Sequence, residues 1–213
     1  AIDGPAGAGK STIAKIVAET LGFTYIDTGA MYRAVTYKAL NENIQLHDAK
    51  AIEAMLNDTT ITLQPSEQGQ LVFVNGEDVS QAIRSNEVTS NVSQVAAHAN
   101  IRGILVEMQQ KLAADGGVVM DGRDIATHVL KDAELKIFMS ATVEERARRR
   151  YLDNERRGIE STIESLQQEI ALRDKLDSER EASPLIQAED ALFLDTTKLS
   201  IDEAAQEILT LAQ

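Results

Sequence analysis

The sequence predicts an α/β protein: a parallel sheet flanked by helices, carrying a small α+β insertion. Three observations carry that reading. First, Gly4-Pro5-Ala6-Gly7-Ala8-Gly9-Lys10-Ser11 fits the phosphate-binding template G-x-x-x-x-G-K-[ST] at every fixed position. It lies between a strand end, Ile2-Asp3, and a helix whose apolar residues Ile13, Ile16, Val17 and Leu21 share one face. Second, strand-like and helical segments alternate along the chain, which implies parallel strands joined through helices. Third, the texture changes between residues 43 and 83. Short β-like runs appear there, punctuated by Gln68-Gly69 and Asn75-Gly76, and Asn-Gly between such runs is a strong hairpin signal.

In chain order, residues 1–3 read as a strand and 11–21 as a helix. Phe23–Asp27 reads as a strand and Ala30–Leu40 as a helix. Ala1 lies three residues before the loop, so the first strand is expected to be cut short. Within the insertion, Ala49–Asn57 reads as a helix; Thr60–Leu63, Leu71–Val74 and Asp78–Val79 read as a small antiparallel sheet. A helical stretch from Asn86 to Ala113 follows. Gly117–Met120 is a buried strand ending at Asp121, and Leu135–Met139 is another. Thr142, with Glu145 three positions on, caps a helix to Arg157. Ser161–Glu181 is helical, Ala191–Leu194 is the last strand, and Ser200 caps the last helix.

Hydrophobic residues make up 43% of the 213 residues, enough for a substantial core. No apolar run approaches the length of a membrane span. Cysteine is absent, which excludes disulfides and cysteine-based metal or nucleophile sites and fits a cytoplasmic protein. The net charge of −13 argues against sequence-independent binding to nucleic acid. The arginines are clustered nonetheless: Arg146, Arg148, Arg149, Arg150, Arg156 and Arg157 crowd one stretch, and Arg123, Arg173 and Arg180 flank aspartates. Basic knots in an acidic shell imply anionic partners.

The glycines of the loop let several N–H groups converge on a phosphate, and the following helix adds positive potential there. Lys10 is expected to reach the β- and γ-phosphates, and the Ser11 hydroxyl to ligate Mg²⁺. Asp121, at the end of an apolar strand, is expected to orient Mg²⁺ through its waters. Asp121-Gly122-Arg123-Asp124 lies at the carboxyl edge of a strand, where open parallel sheets bind ligands. Asp27-Thr28-Gly29-Ala30-Met31-Tyr32-Arg33 is a second strand-to-helix junction and a candidate anion site; Thr28 is also a candidate helix cap. Arg173, Asp177 and Arg180 share one face if they lie on one helix, and the plain alternative is a surface ion-pair ladder.

Together, GPAGAGKST, DTGAMYR, IRSNEVTSNVSQVAAHANIR, MDGRDIAT and LRDKLDSER resemble bacterial cytidylate (CMP) kinases, nucleoside monophosphate kinases of the phosphate-loop superfamily, nearly end to end. The resemblance implies a kinase core over residues 1–42 and 84–213, a helical lid at about 146–160, and an inserted NMP-binding subdomain at 43–83. It implies transfer of the γ-phosphoryl of ATP to CMP or dCMP with Mg²⁺. Gly4, Pro5, Ala6, Gly7, Ala8, Gly9, Lys10, Ser11 and Thr12 would hold ATP, with Arg149, Arg150 and Arg157 closing from the lid. Arg33, Arg123 and Arg180 would grip the CMP phosphate, and Asp177, helped by Arg173, would contact the sugar. Ser93, Arg102 and Asp124 would read cytosine, with Thr28 and Tyr32 lining the pocket. Lys10, Arg123, Arg180 and Asp121 would carry the catalysis. A monomer is expected. Thr28 stands where the family commonly has serine, and the hydroxyl is retained.

The chemistry agrees with this implication. A phosphate acceptor is mostly a dianion at pH 7, so no general base is required, and His47, His98 and His128 lie outside the quoted motifs. Ser93 and Arg102 are nine residues apart and fall on opposite faces of a straight helix. If both read one base, the helix must break near His98-Ala99-Asn100, with Asn100 capping the second part. Two other readings stay open at this stage: a phosphate-loop kinase for UMP, AMP or another small acceptor, and a nucleotide-dependent switch, although no N-K-x-D guanine-reading segment is found.

Overall fold

A computed structural model describes residues 1–67 and 69–213. Gln68, half of the expected Gln68-Gly69 turn, lies outside the described residues. The first half of the chain runs β1 (Ile2–Asp3), α1 (Lys10–Leu21), β2 (Thr24–Asp27), α2 (Thr28–Asn41), α3 (Ala49–Asn57), β3 (Ile61–Ser66), β4 (Gly69–Val74) and β5 (Glu77–Asp78). After a 3-10 turn at Ala82–Arg84 come α4 (Asn86–Ala96), α5 (Ala99–Leu112) and β6 (Val118–Gly122). A π-helical turn at Ile125–Val129 leads to β7 (Ile137–Ser140), α6 (Val143–Arg156), α7 (Ile163–Glu179), β8 (Leu192–Asp195) and α8 (Ile201–Leu211). The parallel sheet has the order β2-β6-β1-β7-β8, and β3-β4-β5 form a separate antiparallel sheet. No described helix is long and apolar enough to cross a membrane.

The chain divides into two compact units: Ala1–Val17 with Asp121–Gln213, and Ala18–Met120. In the first, two residues of β1 suffice to make a central strand. Ile2 and Asp3 pair with Asp121 and Gly122 on one side and with Ile137 and Phe138 on the other, all parallel. β8 extends the sheet from β7, with Ile137 opposite Leu192 and Ser140 opposite Asp195. Strand order therefore reverses beside β1, and its carboxyl end is a topological switch point, the usual ligand crevice of such sheets. α6 and α7 pack through Ala147, Leu166 and Ile170. Thr142 caps α6 by accepting from the Glu145 N–H, and Ser200 and Glu203 close a full capping box on α8.

The second unit has its own core, built from Met31, Val35, Ile52, Ile83, Val95, Ile101 and Leu105 on helices and Val72 and Val74 on β4. The Asn75-Gly76 turn forms as the sequence predicts. Both residues have positive φ (50° and 83°), as a tight hairpin turn of this kind demands, and the Asn75 side chain accepts from the Thr60 N–H.

The helix from 86 to 113 breaks at Ala97-His98, the break expected if Ser93 and Arg102 read one base. The cap expected at Asn100 is not there. His98 occupies the N-cap position of α5 without a side-chain cap bond, and Asn100 reaches away to the Ala49 carbonyl (3.1 Å) and Glu53 (2.6 Å). Tying α5 to α3 satisfies two acceptors that a local cap would not. The break is closed by Arg102, whose Nη1 donates to the Ala96 carbonyl at the end of α4 (3.0 Å). Ile101 is fully buried beside that break. Ile101→Ala is expected to destabilise by about 2–5 kcal/mol, read as a lower urea midpoint at unchanged slope.

Candidate active site

Three carbonyls of the phosphate loop accept from side-chain donors. The Lys10 ammonium donates to Pro5 O (2.8 Å), Arg146 Nη1 to Ala6 O (3.1 Å), and the Thr196 hydroxyl to Ala8 O (3.1 Å). In a trans peptide the next N–H points opposite the carbonyl, so the N–H groups of Ala6, Gly7 and Gly9 aim the other way, the arrangement that cradles an anion. Gly4 makes the turn possible. Its φ is +149°, and a Cβ there would lie 2.0 Å from the Met139 carbonyl oxygen.

Lys10 is only 5% exposed. Burial, reinforced by Arg123 and Arg173, lowers its pKa to about 7 against the pull of Asp121 and Asp3. An anion in the cradle would restore full charge. Ser11 Oγ donates to Asp121 Oδ2 (2.9 Å), joining the hydroxyl and carboxylate that the sequence assigned to Mg²⁺. Both are hard oxygen donors suited to that ion. No cluster of three or more acidic, His or Cys side chains that could hold a metal occurs among the described residues, so the fit is to an ion that shares its shell with phosphate oxygens and water.

Asp177 is the centre of a second group in the same unit. Arg123 Nε donates to its Oδ2 (2.9 Å), and Arg180 Nη1 lies 3.7 Å from its Oδ1. Burial pushes the Asp177 carboxyl up, but Arg123, Arg173 and Arg180 together hold it below the usual carboxylate range. The expectation that Arg173, Asp177 and Arg180 share a helix face needs correction. α7 ends at Glu179 and Arg180 is the C-cap, with extended backbone (ψ 144°); its Nε donates to Ser183 O. Leaving the helix lets it return to the same aspartate. Asp124, 3% exposed, immediately precedes the π-helical turn, and the first two N–H groups of that turn, Ile125 and Ala126, donate to Asp3 Oδ1 and Oδ2 (2.8 Å each).

The arginine run of α6 divides in two. Arg146, 4% exposed, makes a bidentate pair with Asp174 (2.9 and 2.6 Å) and donates from Nε to Ala141 O. Arg149 is also engaged, with Ala8 O of the loop, Thr196 and Glu145. Arg148 pairs with Glu145, Arg150 is half-buried on the helix, and Arg157, the C-cap, lies 3.7 Å from Asp153.

The second unit carries the other predicted residues. Asp27, not Thr28, caps α2: its Oδ1 accepts from Ala30 N (2.8 Å) and its Oδ2 from Arg33 Nη2 (2.9 Å). Burial raises the Asp27 carboxyl, but Arg33 and the Ala30 N–H outweigh it and hold it low. Thr28 and Tyr32 are buried, and the Arg102 guanidinium lies 5.0 Å above the Tyr32 ring, within cation–π range. Ser93 is half-buried on α4. Gln70, from the small sheet, accepts from the Asp27 N–H (3.2 Å). The sequence reading missed Asp3, Gln70, Asp174 and Thr196. Asp27 was legible, since Asp before a helix is as good a cap as Thr.

Two outcomes follow from this geometry. Gly4→Ala is expected to abolish ATP binding in calorimetry, because its methyl group meets backbone rather than a movable side chain. Asp177, held low, contributes stability above about pH 4 that is lost as the pH falls through its folded-state value. Asp177→Asn is therefore expected to flatten the loss of urea-unfolding free energy below about pH 4.

Comparison with known proteins agrees along the whole length. The profile of the Cytidylate kinase family matches residues 1–213. A cytidylate kinase of Lysinibacillus sphaericus strain C3-41 is 76% identical over 213 residues, covering 100% of this chain and 95% of the relative. Cytidylate kinases of an Exiguobacterium species and of Anoxybacillus flavithermus are 62% and 58% identical, over 98% and 100% of the chain and 93% and 95% of the relatives. With the phosphate loop, the Ser11–Asp121 pair and the Asp177 arginines in place, the chain belongs to the cytidylate kinase family.

Proposed function

We infer that the protein transfers the γ-phosphoryl group of ATP to CMP or dCMP, giving ADP and CDP or dCDP. The observation that carries the reading is one unit holding both a phosphate cradle with a buried Lys10 and a group of arginines organised on Asp177. The first suits a triphosphate donor; the second suits a phosphate-bearing acceptor with a sugar beside it.

In the proposed step an oxygen of the CMP phosphate dianion attacks the γ-phosphorus in line. A P–O bond forms there as the bond to the β–γ bridging oxygen breaks, and its electron pair leaves with ADP. No proton need move, so the residues act by position and charge. Gly4 to Thr12 hold ATP, and Lys10 offsets charge on the transferring group. Mg²⁺, which Ser11 and Asp121 would hold, would neutralise the β- and γ-phosphates. Arg33, Arg123 and Arg180 take the acceptor phosphate, and Arg150 and Arg157 close from a lid at about 146–160. Arg149 is assigned to ATP less directly, through the loop it braces. The segment 43–83 serves the acceptor nucleotide. Asp177, with Arg173, takes the sugar hydroxyls, and Thr28 and Tyr32 line the acceptor pocket.

Cytosine offers an N4 amino donor beside acceptors at N3 and O2. The Asp124 carboxylate accepts from N4, while Ser93 and Arg102 donate to the acceptors. Uracil puts an oxygen against the carboxylate, an unpaired contact that discriminates strongly. A monomer is proposed, and the nucleotide substrates support a cytoplasmic location.

The deciding assay is ADP release with ATP·Mg²⁺ and CMP, dCMP, UMP or AMP. CMP and dCMP are expected to be the best acceptors; faster turnover of UMP or AMP overturns the assignment. Asp124→Ala is expected to lower kcat/KM for CMP by roughly 5- to 160-fold, the equivalent of about 1–3 kcal/mol, with little change for UMP. Equal losses for both would remove Asp124 as base reader.

A further inference from the structure

The geometry points to Asp3 as the residue that positions the base-reading Asp124, and so as a determinant of the preference for cytosine. This rests on the assignment of Asp124 above. Asp3 ends β1 and directly precedes the phosphate loop. It is 2% exposed, and each carboxylate oxygen takes one backbone N–H of the turn after Asp124, 122 and 123 residues away. Asp124 occupies the N-cap position of that turn, yet it makes no cap bond to it. An aspartate in that position ordinarily folds its carboxylate back onto the second or third N–H of its own turn. Here Asp3 has taken the second, Ala126, together with the first, Ile125, so the turn is tied to β1 and the Asp124 carboxylate makes no cap bond to it. Asp124 itself has φ −143° and ψ 26°, and the two bonds from Asp3 hold the backbone immediately after it.

Asp3→Asn keeps the shape but replaces one acceptor with an amide donor, which faces an N–H and cannot bond it. With the amide against Ala126, the N–H of that residue then becomes available to Asp124 as a cap. The expected result is a fall in the CMP-over-UMP ratio of kcat/KM of about fivefold or more, with KM for ATP unchanged within about twofold. A role in stability alone would lower the melting temperature and reduce both acceptors equally. An unchanged ratio therefore overturns the proposal, as does a change confined to KM for ATP.

Asp124→Ala is measured beside it. If that variant loses discrimination and Asp3→Asn keeps it, the positioning role fails alone. If Asp124→Ala keeps discrimination, the base-reading assignment fails and the role of Asp3 falls with it. Hydrogen exchange on the unmodified enzyme covers the case in which Asp3→Asn does not fold. The Ile125 and Ala126 amides are expected to exchange far more slowly than unprotected amides, and exchange at the unprotected rate overturns the proposal.

Discussion

The cation at Lys10 is the constraint around which the loop is built. Its ammonium is buried, bonded to the carbonyl of Pro5, and surrounded by the fields of Arg123 and Arg173. Burying a cation among cations is unfavourable, and the counter-fields of Asp121 and Asp3 offset it only in part. The deficit is what a polyphosphate supplies. At about 4 Å, opposite unit charges attract by about 4 kcal/mol at an effective dielectric of 20, against about 1 kcal/mol in bulk water. Desolvation thus makes the apo site uncomfortable and the liganded site strong. It also reconciles a chain of net charge −13 with a task that needs positive potential: the sign of the whole molecule is irrelevant where burial confines the field.

That constraint divides the arginines into two kinds. Arg146 and Arg149 spend their donors on the loop's carbonyls, Asp174, Glu145 and Thr196. A buried bidentate pair such as Arg146–Asp174 is costly to break singly, so the loop is held from α6 by contacts within the protein. Arg123 and Arg180 converge on one aspartate, which fixes two guanidinium groups without cancelling them. Within the run ERARRRYLDNERR, Arg146 and Arg149 look no different from Arg148, Arg150 and Arg157. Side-chain direction on α6, set by packing against α7, separates them.

What the sequence disclosed follows the same logic. The loop, the hairpin turn at Asn75-Gly76, the caps at Thr142 and Ser200, and the break between Ser93 and Arg102 are all local, and spacing rules reach them. The caps placed at Thr28 and Asn100 went to neighbours because a competing bond won. Asp27 gains Arg33 as well as the Ala30 N–H, and Asn100 gains two partners on α3. Asp3, Thr196 and Gln70 were not legible at all. Their partners lie 122, 188 and 43 residues away, and no periodicity carries information over such separations.

The helix break at Ala97-His98 ties the proposed base site to a feature of the fold. A continuous helix would set Ser93 and Arg102 on opposite sides, so a site needing both must interrupt it. An interruption leaves the last carbonyls of the first helix without intrahelical donors. Arg102 donates to the Ala96 carbonyl that the break exposed. Its guanidinium plane is fixed further by the Tyr32 ring below it. Arg102→Lys would keep the charge but lose the fork that serves two partners at once. For that reason the position calls for arginine: the same residue orders the helix end and, in the proposed site, offers the base a donor plane of fixed orientation.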